Sequence, residues 1–334
     1  MKKNYVIDDV YRDFKENNAG FKAREDVNNI LADNYELAYL LKGKNKVLRF
    51  INYLNIICKI KIFSNVVVIQ YPFYVNKTYI NLMRFWVPKR TILLIHDIDS
   101  LRNNLSLEEV LKEISIFNRF SYIISHNQKM TKWLKDNGCT SKIVNLEIFD
   151  YLVNETIPVK DSRENVVAFA GNLSKEKSGF LYKNVLKNDH LNIYGPNFDE
   201  EFSHSLNYKG SFPAEQLPRV LDEKYGLIWD GDSPEKCIGH FGEYLKYNNP
   251  HKTSLYLVSG LPIIIWNEAA ISQFIEKNNL GFSIASISEI NEKISSISDE
   301  EYKLIQSNVR QVSKRLQSGY YLKKAINKCL EDMK

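Results

Sequence analysis

The sequence predicts an α/β protein built from two doubly wound parallel sheets. Three observations carry this. Short, nearly unbroken apolar runs, such as residues 66–69, 91–95 and 263–266, fit strands covered on both faces. Segments with helical spacing lie between such runs, the alternation that produces a parallel sheet. The alternation breaks over residues 151–164, where Pro158 and several charges replace it. That break divides the 334 residues into two domains of ordinary size, 1–155 and 165–315, with residues 316–334 left as a C-terminal helix.

In the first domain, residues 5–7 form a strand that exits at Asp8 and Asp9. A helix over 23–32 and a strand over 35–40 follow. Residues 46–60 have helical apolar spacing at Leu48, Ile51, Leu54, Ile57 and Cys58. Strands are expected at 66–70, 91–95 and 122–125. Ser106 and Glu109 spell a capping box ahead of a helix that runs to Phe120. A further helix over 128–136 ends at Gly138.

In the second domain, residues 166–170, 191–194 and 226–229 are expected strands. Residues 252–258 form a helix with Leu255 and Val258 inward, which Gly260 and Pro262 break. A strand at 263–266 and a helix at 271–277 follow, and Gly281 sits where a C-terminal cap is expected. Residues 300–333 are helical in pattern, interrupted by Gly319, with Ile305, Val309, Val312, Leu316, Ile326 and Leu330 inward.

Composition narrows the function. A net charge of +5 is too small to argue for nucleic acid, and it suits a phosphorylated substrate or the inner face of an anionic membrane. Four cysteines lie far apart without metal-site spacing, which fits free thiols in a reducing compartment. No apolar run has the length of a membrane span or a signal peptide, so a cytoplasmic location with at most peripheral membrane contact is expected. The 20 tyrosines and 17 phenylalanines serve core packing first, with stacking on sugar or uracil as the sharper alternative.

Three clusters carry candidate chemistry. Asn248, Asn249, His251 and Lys252 sit at an exposed helix start beyond a strand end, where amides and an added lysine suit a diphosphate. His251 fits a phosphate donor and a helix cap equally well. AGNLSKEK (170–177) follows a strand; Gly171 permits close backbone approach, Asn172 bonds both ways, and Lys175 and Lys177 are cations. It is neither a GxGxxG fingerprint nor a GxxxxGK[ST] loop. His96 and Asp97 end a strand of the first domain, expected to face the cleft between domains, where an acceptor hydroxyl must lose its proton. Asp8 and Asp9 leave the first strand on the same side and compete for the role of base, which the sequence leaves unassigned.

The ordered pieces VVVIQYPFY (66–74), LLIHDID (93–99), SHNQKM (125–130), AFAGNLSKEKSGFL (168–181), FPAEQL (212–217), NNPHKTSLYL (248–257) and SGLPIIIW (259–266) span nearly the whole chain. Together they resemble GT-B glycosyltransferases, and more closely the family of the glucosyltransferase that extends N-acetylglucosamine on serine-rich repeat adhesins, with bacterial galactofuranosyltransferases in the wider group. The resemblance implies two Rossmann-like domains facing a cleft, with the last helix crossing back to the first. It implies diphosphate contacts from the Gly171 loop, Lys175 and Lys252. It also places Ser211 and Phe212 beside the nucleotide, with Phe212 where the family can have a tyrosine. It implies transfer of a hexose from a UDP-sugar, UDP-glucose or UDP-galactofuranose, to a saccharide on a protein or a lipid-linked precursor. A homo-oligomer is expected. No cofactor or essential metal is implied, although Asp97-Ile98-Asp99 and Asp230-Gly231-Asp232 match the letters of a D-x-D metal site. Many retaining GT-B enzymes carry two glutamates just before the G-x-P turn. Tyr247 and Leu255 stand near those positions and Glu268 and Glu276 follow the turn, which favours inversion. The alternatives are an inactive glycan-binding or chaperone-like partner of another transferase, and a nucleotide-sugar epimerase or dehydrogenase, against which the missing dinucleotide fingerprint counts.

Overall fold

A computed structural model of the chain describes residues 2–8, 19–40, 42, 44–74, 87–154, 157, 166–183 and 190–334. Asp9 and most of the expected linker lie outside the described residues. The chain forms two compact units, one built on the N-terminal segment through Asp8, Gly20–Leu146 and Tyr321–Lys334, the other on Glu147–Tyr320. Residues 147–154, expected with the first domain, thus belong to the second unit. Hydrogen bonds explain why: Asn249 Nδ2 donates to the Glu147 carbonyl at 2.9 Å, and Ser254 Oγ to the Phe149 carbonyl at 2.5 Å.

The first unit holds a six-stranded sheet, all parallel. Its order is β2 (Glu36–Tyr39), β1 (Lys3–Asp8), β3 (Ser64–Tyr71), β4 (Thr91–Ile95), β5 (Tyr122–Ser125) and β6 (Lys142–Asn145). β6 was not expected; its KIVN segment is too short and polar to stand out. Inward residues of these strands, among them Tyr5, Ile7, Val67, Ile69, Leu93 and Ile95, join Phe117 in one core. The strand order reverses between β1 and β3, which makes their carboxyl ends the switch point where doubly wound sheets bind ligands. Ser106 and Glu109 form the expected capping box on helix Leu107–Phe117.

The helix Lys46–Phe63 departs from its apolar spacing. It buries Tyr53 and Ile60, while Leu48, Ile51 and Leu54 stand 47%, 47% and 43% exposed. Asn52 sets this rotation: its amide donates to the carbonyls of Tyr39 and Leu40 at 2.7 and 3.0 Å. That anchors the Asn52–Tyr53 side on the sheet, and the Leu48–Ile51–Leu54 side faces outward.

The second unit holds another all-parallel six-stranded sheet. Its order is β12 (Gly281–Ile284), β11 (Ile263–Trp266), β10 (Tyr225–Ile228), β7 (Val167–Ala170), β8 (Leu191–Tyr194) and β9 (Asn207–Tyr208). Here the order reverses between β7 and β10. β9 and β12 were not expected. Asn279, at φ 47°, takes the left-handed position after helix Ser272–Lys277, and Gly281 instead opens β12. A Cβ on Gly281 would lie 1.9 Å from the Ile263 carbonyl oxygen, so glycine lets β12 approach β11. The C-terminal helices Asp299–Gln317 and Tyr320–Asp332 flank Gly319, whose φ is 70°. Among the described residues no helix is long and apolar enough to cross a membrane.

Candidate active site

In the second unit, β7 runs into Gly171 and β10 into Trp229 and Asp230, the two strand ends at the switch point. The helix His251–Val258 starts in the same neighbourhood. Its Tyr256 hydroxyl accepts a hydrogen bond from the Ala170 amide at 2.6 Å, and its ring occupies the space a side chain at Gly226 would fill. Lys252 is therefore no exposed helix-start lysine. Its ammonium lies 2.8 Å from Asp230 Oδ1, donates to the Trp229 carbonyl at 2.9 Å and sits 4.6 Å from the Phe169 ring centroid. Burial lowers its pKa; Asp230 opposes that shift and Lys177 adds to it.

The two lysines of the 170–177 loop have different surroundings. Lys175 pairs with Asp199 at 2.5 Å on the surface and lies 5.0 Å from the Phe202 ring. Lys177 has no acid within ion-pair distance among the described residues; it lies 5.4 Å from the Phe241 ring, and its charge reaches Lys252. Asn172 shapes the loop by accepting from the Ser174 amide and the Asn197 side chain, both at 3.0 Å.

Gly195 joins the loops together. Its φ is +139°, and a Cβ there would meet the Gly171 carbonyl oxygen at 1.8 Å. Its amide donates to the Gly210 carbonyl at 3.0 Å, immediately before Ser211 and Phe212. Ser211 is exposed, and the Phe212 ring leans on Tyr194 at 6.3 Å. Asn249 and His251 hold residues 147–151: Asn249 through the Glu147 carbonyl, His251 by stacking on Tyr151 at 4.9 Å. Asn248 Oδ1 and Thr253 Oγ1 are buried at the same helix start without a hydrogen-bond partner among the described residues.

In the first unit a polar chain crosses the ends of β1, β3 and β4. Asp8 accepts from Arg24 Nη1 at 2.9 Å and from Asn28 Nδ2 at 3.2 Å. Asn28 Oδ1 then accepts from Gln70 Nε2 at 2.8 Å, and Gln70 Oε1 lies 2.8 Å from His96 Nε2. A salt-bridged carboxylate only accepts, so each partner's direction follows from the last. His96 must donate from Nε2, which leaves Nδ1 as the basic nitrogen of the ring. Asp97 instead pairs with Arg102 at 2.7 Å. Asp99 has its pKa pushed up to about 6, by partial removal from water first, then by the carboxylates of Glu113 and Asp97. Among the described residues no three His, Cys, Asp or Glu side chains group as metal ligands.

A family model described as glucosyltransferase 3-like, N-terminal domain, matches residues 4–148, and its C-terminal counterpart matches residues 167–329. The chain belongs to the glucosyltransferase 3-like family. It is a glycosyltransferase with the GT-B fold. The β-1,6-galactofuranosyltransferase WbbI of Escherichia coli (strain K12) is 34% identical over 339 residues, covering 99% of both chains. Glucosyltransferase 3 of Streptococcus parasanguinis is 26% identical over 243 residues, 71% of this chain and 69% of that one. Among solved structures, Anabaena Alr3699/HepE in complex with UDP matches with a TM-score of 0.64 at 12% identity, covering 99% of this chain and 100% of that one.

In this glucosyltransferase 3-like chain, the glutamates after the G-x-P turn are used elsewhere. Glu268 lies 3.4 Å from Lys246, and Glu276 accepts from the Ser283 hydroxyl. Sequence reasoning missed Asp230 as the partner of Lys252, and Arg24, Asn28 and Gln70 behind His96. Each meets its partner across at least 22 positions except the Asp8 contacts, at 16 and 20, so no local spacing signals them.

Proposed function

We propose that the chain transfers galactofuranose from UDP-galactofuranose to a saccharide hydroxyl, with glucose from UDP-glucose as the second donor, by inversion and without a metal. The observation that carries this reading is the helix start at the β7–β10 switch point, where Lys252 and Lys177 lie at the first turn of helix His251–Val258. Galactofuranose is placed first because the Escherichia coli relative that matches along 99% of this chain is named a galactofuranosyltransferase. UDP is supported by the Anabaena structure of the same fold, which holds it.

As the bond between the sugar's anomeric carbon and the diphosphate oxygen breaks, negative charge grows on that oxygen. Lys252, Lys177 and the helix amides would stabilise it. The acceptor hydroxyl attacks the anomeric carbon and gives up its proton, for which His96 is the candidate base. Inversion is supported by Tyr247 and Leu255, which stand near where many retaining enzymes carry glutamates. The test is transfer by the purified chain from a panel of UDP-sugars to a saccharide acceptor, with the product's anomeric configuration read by NMR and EDTA as a parallel arm. Turnover of UDP-galactofuranose with inverted configuration and EDTA resistance is the expected result. Retention, dependence on added Mn²⁺, or turnover only with another base or sugar would each overturn the corresponding part.

A further inference from the structure

We infer that the outward face of helix Lys46–Phe63 docks on an anionic lipid surface. Val47, Ile51, Leu54, Cys58 and Ile62 follow one another at intervals of three or four residues, so they share one face of the helix. The apolar side chains among them are solvent-exposed: Val47 68%, Ile51 47%, Leu54 43% and Ile62 64%. The stripe runs roughly 22 Å at 1.5 Å per residue. Tyr53 and Ile60 hold the opposite side against the unit's core, so the outward stripe does nothing for the fold.

Charge selects the occupant. The helix contains no aspartate or glutamate, and Lys46 and Lys61 lie beside the stripe at its two ends, with Lys59 further round and exposed Lys42 and Lys44 just before the helix. Glu36 matches Lys59 and also Lys3. A second copy of the chain presenting this same face would set cations against cations. An anionic bilayer satisfies both features: the stripe enters the headgroup boundary while the lysine and arginine stems reach lipid phosphates. The helix's four cations keep it at the interface, lying on the bilayer instead of crossing it. Such docking brings the enzyme to saccharides carried on lipid.

The test is co-sedimentation of the full chain with vesicles of phosphatidylcholine alone or with 30% phosphatidylglycerol. It measures no transfer, so its failure leaves the donor reading untouched. Binding to the anionic vesicles is expected, weakening with salt, with at least a tenfold loss in Ile51→Glu/Leu54→Glu and in Lys46→Glu/Lys61→Glu. Leu304→Glu, another exposed apolar site in the second unit, should bind as wild type does. Cys58 is the only exposed one of the four cysteines, so an environment-sensitive dye placed there should shift to the blue on anionic vesicles. Wild-type binding by the two double variants, absence of binding, or a dimer broken by Ile51→Glu/Leu54→Glu in a chain that ignores vesicles would overturn the inference.

Discussion

Lys252 is buried against Asp230, so removing its ammonium has two consequences. Lys252→Ala should cut transfer at least about a hundredfold, roughly 2.7 kcal/mol of lost transition-state stabilisation. It should also destabilise the chain by about 3 kcal/mol, because Asp230 is left buried without its counter-charge. Steady-state kinetics and urea unfolding measure the two separately; unchanged stability would mean that Asp230 finds water or another partner. His96→Ala should lower turnover at least tenfold while UDP affinity holds, which titration calorimetry beside a turnover assay checks. An equal loss of both would place His96 outside proton transfer. The sequence pointed to both residues through type and position. It was silent on what they touch, because Lys252 meets Asp230 across 22 positions and Gln70 meets His96 across 26. Lys175 and Lys177 are two apart in one short helix and so point differently, which residue type alone does not separate.

At the scale of elements, His126 is 1% exposed and its Nε2 donates to the Ile95 carbonyl at 3.2 Å, tying the end of β5 to that of β4. Burial lowers its pKa to about 4. Between that value and the ordinary 6.5 the unfolded chain binds the proton more readily, so stability is lost as pH falls through this window. The full loss is roughly 3 kcal/mol. Asp99, raised to about 6, has the opposite sign over part of the range and offsets some of it. His126→Gln should remove the loss, so its urea midpoint should fall less than the wild-type midpoint between pH 7 and 4.5. Parallel declines would show that His126 does not titrate in that window. Most strands were legible because a parallel strand buried on both faces leaves a run such as IIIW at 263–266. β9, two residues long, and β12, which begins with glycine, leave no such run. The helix Lys46–Phe63 was legible as a helix but not in its rotation, since one asparagine bonded to the end of β2 outweighs an apolar stripe.

For the whole molecule, both clusters fall at the point where each sheet reverses its strand order. That follows from topology: neighbouring strands whose connections leave in opposite directions open a crevice at their carboxyl ends. Lys252 and Lys177 belong to the β7–β10 switch point, and the polar chain of the first unit runs from Asp8 at the end of β1 through Gln70 of β3 to His96 at the end of β4. The central claim is that the start of helix His251–Val258 holds a nucleoside diphosphate. The most direct test is calorimetric titration of the intact chain with UDP and with uridine, on wild type and on Lys177→Ala. UDP should bind at least about a hundredfold more tightly than uridine, roughly 2.7 kcal/mol. In Lys177→Ala that advantage should shrink about tenfold while uridine affinity stays the same. Equal affinity for UDP and uridine, or an undiminished UDP advantage in Lys177→Ala, would contradict the account.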